Sequence, residues 1–179
     1  MKPVKPVKTN AARLLDSLGI AYQVQTYEVD PDDLSAISVA RKIGMPLEQV
    51  FKTLLTRTAP AAGQSEPAYF FAVIPGDAEL DLKKLAGAAQ VKKVELASLK
   101  DVEPLTGYVR GGVTVMAART LFPAYADDTI ELHDVVSVSA GQRGTQLVLA
   151  PADYLRATGA TLADLTKPMH AAASAQVSG

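Results

Sequence analysis

The stretch Val50-Phe51-Lys52-Thr53-Leu54-Leu55-Thr56 has the composition of a β-strand and carries one charge among apolar neighbours. Side chains alternate between the two faces of a strand, so Lys52 shares a face with Val50 and Leu54. The other face carries three largely apolar residues, Phe51, Thr53 and Leu55. We therefore expect Lys52 to lie beside the core or a lined cavity. A lysine at the edge of a sheet that reaches water and discourages aggregation is the alternative.

Outward from this strand, the pattern predicts mixed helices and strands. Residues 68–74 are continuously apolar and predict a central strand that ends at Pro75-Gly76-Asp77. Helix caps are indicated at Thr9-Asn10 and Asp81, and a helix that begins at Ser35 is expected to end at Gly44. Further strands are predicted at 20–27, 91–96, 113–116, 129–132, 135–139 and 145–149, and helices at 10–18, 35–43, after Asp81, after Ser98 and at 151–156.

This order of elements lacks the regular strand-helix-strand rhythm of a doubly wound sheet. We expect a single α+β domain over residues 10–168, with a curved mixed β-sheet, a barrel-like core and surrounding helices. Residues 1–9 form a basic arm that we expect to be flexible. Residues 169–179 are small and polar, and we expect them to be disordered.

The composition excludes several kinds of chemistry. The chain has no cysteine and two histidines, which excludes disulfides, thiolate nucleophiles and a multi-histidine metal centre. We expect no metal and no cofactor. The longest apolar run, 68–74, is too short to cross a bilayer, and no apolar segment follows the first lysines. The expectation is a cytoplasmic protein without a membrane partner.

Two glycine-punctuated loops are candidate ligand sites. Residues 106–112 contain Gly107, Gly111 and Gly112, and residues 140–144 contain Gly141 and Gly144. Glycines let a backbone approach a ligand closely and direct N–H groups at an oxygen. Neither loop has the spacing of a phosphate loop or dinucleotide fingerprint. Ordinary turns are the alternative.

Positive charge is concentrated between residues 81 and 100, where five lysines accompany two acids. Such a patch can follow a phosphate backbone although the whole chain has a net charge of −1. The candidate nucleic-acid contacts are Lys83, Lys84, Lys92 and Lys93. A solvated helix face is the alternative, and no DNA partner is expected.

Taken together, five stretches resemble the YbaK family, which is related to the editing domain inserted in bacterial prolyl-tRNA synthetases. The resemblance covers roughly residues 10–166. The stretches are Gln25-Thr26-Tyr27-Glu28, Val50-Phe51-Lys52-Thr53-Leu54-Leu55, Leu80-Asp81-Leu82-Lys83-Lys84-Leu85, Thr106-Gly107-Tyr108-Val109-Arg110-Gly111-Gly112 and Val138-Ser139-Ala140-Gly141-Gln142-Arg143-Gly144.

The resemblance implies specific roles for residues of this chain. Lys52 matches the essential lysine of the family and is expected to be the catalytic residue. Substrate-binding positions are expected at Tyr27, Thr53, Gly111, Gly112, Ser139 and Gly141. The chain departs from the family pattern at Gln142, at Gln146, where an acidic residue is common, and at Thr114-Val115.

The implied activity is trans-editing: cleavage of the ester of a mischarged aminoacyl-tRNA, with Cys-tRNA(Pro) as the expected substrate. In Cys-specific relatives the substrate's own thiol is thought to attack its ester. The alternatives are an Ala-tRNA(Pro) deacylase that uses a positioned water, and a non-catalytic module that binds tRNA or a synthetase. The expected partners are aminoacyl-tRNA and, as a further candidate, prolyl-tRNA synthetase.

Overall fold

A five-stranded mixed sheet lies at the centre of the computed structural model, which describes residues 8–60, 62–63 and 66–169. Within these residues the helices are α1 (Asn10–Ser17), α2 (Ala36–Ile43), α3 (Leu82–Ala89), α4 (Leu99–Thr106) and α5 (Pro151–Thr158). The strands are β1 (Gln23–Thr26), β2 (Phe51–Thr58), β3 (Tyr69–Pro75), β4 (Ala78–Leu80), β5 (Val94–Leu96), β6 (Ala124–Asp127), β7 (Val136–Ser139), β8 (Thr145–Leu149), β9 (Thr161–Ala163) and β10 (Thr166–Pro168). Short 3-10 helices cover Leu47–Gln49 and Asp128–Leu132.

The strands divide among three sheets. The central sheet has the order β5-β2-β3-β6-β9. The pairs β5–β2 and β2–β3 are antiparallel, and the pairs β3–β6 and β6–β9 are parallel. A second sheet has the order β1-β8-β7, and β4 pairs with β10 in a two-stranded ribbon. This confirms the predicted α+β class and mixed sheet. Within the described residues the sheets do not close into a barrel, so that part of the expectation was wrong.

Strand β3 is the most deeply buried element, as its apolar run predicts. Phe71, Ala72, Val73 and Ile74 are all fully buried, because β2 and β6 cover both edges of β3 and other elements cover both faces. In the β2–β3 register Lys52 lies opposite Ile74, and Leu54 lies opposite Ala72. Residues directly opposite each other share a face, so this register confirms the face that alternation gives to Lys52.

The two faces of the central sheet belong to different clusters. Phe51 and Leu55 pack into the main core with α1, α5 and the second sheet. On the face of Lys52, Leu54 and Ile74 pack with Leu85 of α3. A third cluster joins α2 to Val50 at the beginning of β2.

The predicted caps begin and end the helices as expected. The side chains of Thr9, Ser35 and Asp81 accept hydrogen bonds from N–H groups in the first turns of α1, α2 and α3. Gly44 ends α2 with φ at 70°, the left-handed conformation that favours glycine.

Several sequence predictions between residues 113 and 168 were wrong. No strand forms at 113–116, and residues 129–132 belong to a 3-10 helix instead of a strand. Asp127 explains the second difference, because its carboxylate accepts hydrogen bonds from the N–H and hydroxyl of Thr129. The other carboxylate oxygen accepts the N–H of Leu165 at 2.9 Å. The short strands β6, β9 and β10 of this stretch were missed, and so was β4, which lies earlier in the chain.

Most of the predicted basic arm and tail lies outside the described residues, at positions 1–7 and 170–179. Of the arm, Lys8 forms an ion pair with Asp16 at 2.6 Å. Each α-helix in the described part of the chain has eight residues, and none is long and apolar enough to cross a membrane.

Candidate active site around Lys52

Lys52 lies half-buried between two helix-covered clusters. Along the same face of β2, Val50 packs against α2 and Leu54 packs against α3. The lysine stem therefore runs between apolar groups, where an ammonium loses part of its hydration.

The electrostatic setting of Lys52 is unusual for a lysine. Burial lowers the pKa of its ammonium, and the negative charge of Glu79 partly opposes this effect. Ion pairs within 4 Å among the described residues join other partners: Lys8–Asp16, Arg57–Glu95, Lys84–Asp164 and Arg156–Asp153. Lys52 is thus a partly desolvated cation without a contact ion pair in the described part of the protein, so it is free to bind an anionic group of a ligand.

A row of polar side chains from the second sheet continues the face of Lys52. Val50 forms a parallel bridge with Ser137, so two residues further along, Lys52 and Ser139 face the same side. Ser139 lies opposite Gln146, and Gln146 lies opposite Gln25. The valines that alternate with these serines, Val136 and Val138, point the other way into the main core. A row of serine and glutamine side chains thereby crosses the second sheet on the side that Lys52 faces.

Gln146 is held in place within this row. The hydroxyl of Ser137 donates to its Oε1 at 2.9 Å, and both side chains are buried. At position 146 this chain therefore departs from the family pattern. It has a neutral amide, held by a hydrogen bond, where an acidic residue is common. The amide leaves the neighbourhood of Lys52 without the negative charge that a carboxylate would bring.

Tyr27 borders the same region from the other side. Its backbone N–H donates to Gly144 at 3.0 Å, and its ring packs with the α2 cluster that covers Val50. Lys42 of α2 lies 5.9 Å from the ring centre and donates to the carbonyl of Glu28 at 2.8 Å. The β1 end, the start of α2 and the 140–144 turn meet at Tyr27.

The two glycine loops pack directly on each other. A Cβ added at Gly112 would lie 3.1 Å from the backbone of Gln142, and one at Gly111 would lie 3.3 Å from Leu34. The guanidinium Nε of Arg143 donates to the carbonyl of Arg110 at 2.8 Å, which joins the loops a second time. These contacts leave little room for a side chain at Gly111 or Gly112, and they hold the two loops against each other.

The N–H groups of these loops are not equally available. Gly141 donates its N–H to the hydroxyl of Ser139 at 3.1 Å, and Gly112 donates to Val109 at 2.9 Å. The N–H of Gly111 donates to no other described residue. Gly111 is therefore one of several positions in these loops whose N–H is available to donate to a ligand oxygen.

Thr53 and Lys84 lie apart from this group. Thr53 occupies the opposite face of β2, where its hydroxyl approaches the buried hydroxyl of Tyr154 without a hydrogen bond of standard geometry. The Nζ of Lys84 lies 3.0 Å from both carboxylate oxygens of Asp164 and 2.7 Å from the carbonyl of Thr166. The other predicted phosphate contacts, Lys83, Lys92 and Lys93, are exposed.

Sequence reasoning missed Ser137, Gln146 as a partner of Ser139, and Glu79. The signal for the first two was present, because serines alternate with valines over residues 136–139 and indicate a strand with one polar face. The sequence pattern did not indicate that the charge of Glu79 raises the pKa of Lys52, because Glu79 lies on a strand of three residues.

A separate apolar cleft of about 400 Å³ lies near α1 and α5. Its lining offers no titratable side chain: Leu14, Val115, Met116, Ala117, Leu121, Phe122, Pro123, Ala124, Ala157, Thr158 and Gly159. Among the described residues, no group of three or more His, Asp or Glu side chains is placed to hold a metal ion.

Known proteins match this chain over most of its length. The "Putative Cys-tRNA(Pro)/Cys-tRNA(Cys) deacylase EbsC" of Enterococcus faecalis is 41% identical over 89% of this chain and 93% of its own. The "Multifunctional Ser/Thr-tRNA deacylase ProXp-y" of Escherichia coli K12 is 29% identical over 80% and 83%.

Solved structures agree on the fold. The crystal structure titled as that of "a putative trans-editing enzyme for prolyl tRNA synthetase" superimposes with a TM-score of 0.71, at 23% identity, over 90% of this chain and 99% of that one. A hypothetical protein reaches a TM-score of 0.77 at 23% identity over 88% and 99%. At this identity the likeness concerns the fold alone. The model of the aminoacyl-tRNA editing domain matches residues 30–157, which include Lys52, Ser139 and both glycine loops. The chain belongs to the aminoacyl-tRNA editing domain family.

Proposed function

We propose that this protein is a cytoplasmic trans-editing deacylase that removes cysteine from mischarged tRNA(Pro), with Lys52 as its catalytic residue. The supporting observation is the half-buried Lys52 ammonium, which has no contact ion pair among the described residues and lies beside the polar row of Ser139 and Gln146. The relative with 41% identity carries a Cys-tRNA deacylase name, which favours cysteine.

Lys52 suits the stabilisation of negative charge. As the ester carbonyl is attacked, its oxygen becomes an oxyanion, and a preorganised cation in a partly desolvated site stabilises it more than water does. Without a neighbouring carboxylate in contact, the ammonium does not have to break an ion pair first. The N–H of Gly111 is a candidate second donor.

The attacking atom is then supplied by the substrate. The chain has no cysteine, and His133 packs against Phe51 on the opposite face of β2 from Lys52. In the proposed reaction the cysteine thiolate of the substrate forms a C–S bond to its own ester carbon. The C–O bond to the ribose breaks, and the ribose oxygen takes up a proton. Water then opens the resulting four-membered thiolactone and releases cysteine.

The substrate range tests this proposal. With tRNA(Pro) charged separately with Cys, Ala, Ser, Thr and Pro, we expect fast release of cysteine and at least about tenfold slower release of the others. The measured quantity is free amino acid in a single turnover. Comparable cleavage of Pro-tRNA(Pro) would contradict an editing role, and preferred release of Ala, Ser or Thr would replace the cysteine assignment.

A matched substrate tests the thiol step. 2-Aminobutyryl-tRNA(Pro) has a methyl group where cysteine has its thiol, so the two side chains have nearly the same size. Under the proposed reaction it remains uncleaved. Cleavage at the cysteine rate would show that a positioned water attacks, as in the alternative Ala-type reaction.

We propose that the tRNA backbone contacts the exposed lysines near α3, and that prolyl-tRNA synthetase is a further partner. Because phosphate contacts release counterions, tRNA affinity should fall steeply with salt. Replacing Lys83, Lys92 and Lys93 together by Glu should lower the slope of log affinity against log salt concentration by roughly 2. Lys84 is left unchanged, because its contacts with Asp164 and Thr166 stabilise the fold.

The matched control is Arg13→Glu, which reverses an exposed charge on α1. Its binding curve should keep the wild-type slope when measured by filter binding over the same salt series. An unaltered slope in the triple variant would refute the α3 contact while leaving the deacylase proposal intact.

A further inference from the structure

We propose that the place where the two glycine loops meet binds a phosphate of the single-stranded 3′ end of the tRNA, through the side chains of Arg110 and Arg143. We call residues 109–111 and 142–143 the arginine junction. This inference rests on the proposed function and deepens it, because it assigns the tRNA end a contact separate from the lysines near α3.

Arg143 is held across the two glycine loops. Its Nε donates to the backbone carbonyl of Arg110 at 2.8 Å. Its Nε and Cγ atoms would lie 3.4 and 3.5 Å from a Cβ added at Gly111, so the side chain lies against this glycine. Its two Nη groups donate to no other described residue. The guanidinium is therefore fixed through one nitrogen and has two others available to a ligand.

Arg110 brings a second guanidinium to the same junction. Both arginines are exposed, and neither belongs to an ion pair within 4 Å among the described residues. Arginine matches the geometry of phosphate and can bind it through two parallel N–H bonds. Two arginines from loops in contact, without an acidic partner, are the arrangement expected of an anion site.

Backbone donors at the arginine junction add to these charges. The N–H groups of residues 109–111 and 142–143 donate to no other described residue, and all five residues are exposed. Gly111 has a φ of 86°, in the left-handed region. Successive N–H groups beside a left-handed residue form a concavity that binds anions. Guanidinium and backbone N–H groups together are the donors that proteins direct at nucleic-acid phosphates.

The acidic segment 28–33 passes close to the arginine junction without neutralising it. The segment is followed by Leu34, whose Cδ1 would lie 3.3 Å from a Cβ at Gly111, so an apolar group meets the loop. Asp33 accepts hydrogen bonds from the N–H of Ser35 at 3.1 Å and from its hydroxyl at 2.6 Å. No carboxylate among the described residues lies within 4 Å of a charged nitrogen of either arginine.

The position of the arginine junction indicates which phosphate it meets. The 140–144 turn follows Ser139 directly, and the N–H of Gly141 donates to the Ser139 hydroxyl at 3.1 Å. The junction therefore borders the polar row beside which we place the ester. That ester is carried by the ribose of the last nucleotide, so the nearest anions of the substrate are the phosphates of the unpaired 3′ end.

The test compares two cysteine esters that differ in their phosphates. Cysteinyl-CpCpA contains internucleotide phosphates, and cysteinyl-adenosine contains none. At subsaturating protein, Arg110→Ala should release cysteine from the CpCpA ester about tenfold more slowly than wild type, because a hydrogen-bonded charge contact is lost. For the adenosine ester the ratio of the two rates should stay near 1. Uncatalysed hydrolysis is subtracted for each ester.

Further variants separate phosphate binding from a structural role. Arg110→Ala keeps the contact between the loops, because Arg143 binds the backbone carbonyl of residue 110. Arg143→Ala removes that contact as well and should slow the CpCpA ester at least as much. Arg110→Lys keeps the charge and should restore part of the rate. Arg13→Ala, which removes an exposed cation on α1, is the matched control and should keep the wild-type ratio between the esters.

Equal rates of Arg110→Ala and wild type on the CpCpA ester would overturn the inference. An equal loss on both esters would overturn it too, because Arg110 would then act at the ester itself. If wild type cleaves the adenosine ester too slowly to measure, the saturating rate on the CpCpA ester decides: an unchanged rate in Arg110→Ala supports phosphate binding, and a tenfold lower one contradicts it.

Failure of the proposed function is recognised separately, as a wild-type protein that cleaves no cysteine ester. Filter binding of uncharged tRNA(Pro) then tests the arginine junction alone. Arg110→Ala should lower that affinity about tenfold and reduce the slope of log affinity against log salt concentration by roughly 1. An affinity and slope equal to those of wild type would refute the contact.

Discussion

Replacing Lys52 by alanine is expected to lower the single-turnover deacylation rate by roughly two orders of magnitude or more while the fold stays intact. This is the scale observed when one electrostatic stabiliser is removed from an active site. The packing of β2 depends on Val50, Phe51, Leu54 and Leu55, which the substitution leaves unchanged.

The thermal melt adds an independent expectation. Burial lowers the pKa of Lys52, which means that its charged form is less stable in the folded protein than in water. Lys52→Met keeps the length of the side chain and removes the charge, so its melting temperature should equal or exceed that of the wild type. Loss of activity with gain of stability is the pattern of a residue placed for function.

Lys52→Arg should restore little of the rate, because a planar guanidinium cannot replace a compact ammonium between two packed clusters. Arg13→Ala, a substitution of an exposed cation on α1, is a control for the loss of one charge and should keep the catalytic rate. Wild-type rates in a folded Lys52→Ala protein would refute the site. Lost activity together with a lower melting temperature would make Lys52 a structural residue.

The second large effect is expected at Gly141. Its φ is 96°, and a Cβ there would lie 2.8 Å from Cε1 of Tyr108. Gly141→Ala must therefore displace the Tyr108 ring and weaken the hydrogen bond from its hydroxyl to the carbonyl of Met116, now 2.7 Å. Backbone strain and overpacking together should reduce the free energy of unfolding by roughly 2–4 kcal/mol.

The rate should fall further than the loss of stability explains. Tyr108 belongs to the loop that carries Gly111 and Gly112, so a shift of its ring moves the candidate site, and a displacement of about 1 Å can cost on the order of a hundredfold. Gly19→Ala is the matched control, since φ is 67° there but a Cβ would meet nothing within 4 Å. Chemical denaturation and deacylation of both variants at a temperature where each is folded measure the two effects. Equal rates in the two variants would mean that the loop contact does not support the site.

The sequence predicted those parts of the fold that depend on neighbouring residues. Capping by Thr9, Ser35 and Asp81 depends on hydrogen bonds within three residues of the chain. The apolar run of β3 is too long for a strand that lies on the protein surface. The face of β2 on which Lys52 lies was predicted from the alternation of side chains in this strand of eight residues. The family resemblance then supplied the candidate roles that composition alone could not give.

The errors have a common physical origin. Strands β6, β9 and β10 have three or four residues each, and their pairing partners stand far away in the chain. Strands this short show almost no alternating pattern in the sequence, so tertiary contacts determine whether they form. Thr53 is an expected substrate-binding position, although alternation points it to the face of β2 opposite Lys52.

The β4–β10 ribbon also bears on the order in which the protein is completed during synthesis. Residues 166–168 leave the ribosome last among the described elements, yet they pair with residues 78–80 and thereby fix Glu79. Until then β4 is an open edge, and β6 lacks its outer neighbour β9. A nascent chain therefore passes through a stage in which the central strands are formed and two edges can still pair with other chains. The last strands to emerge close these edges.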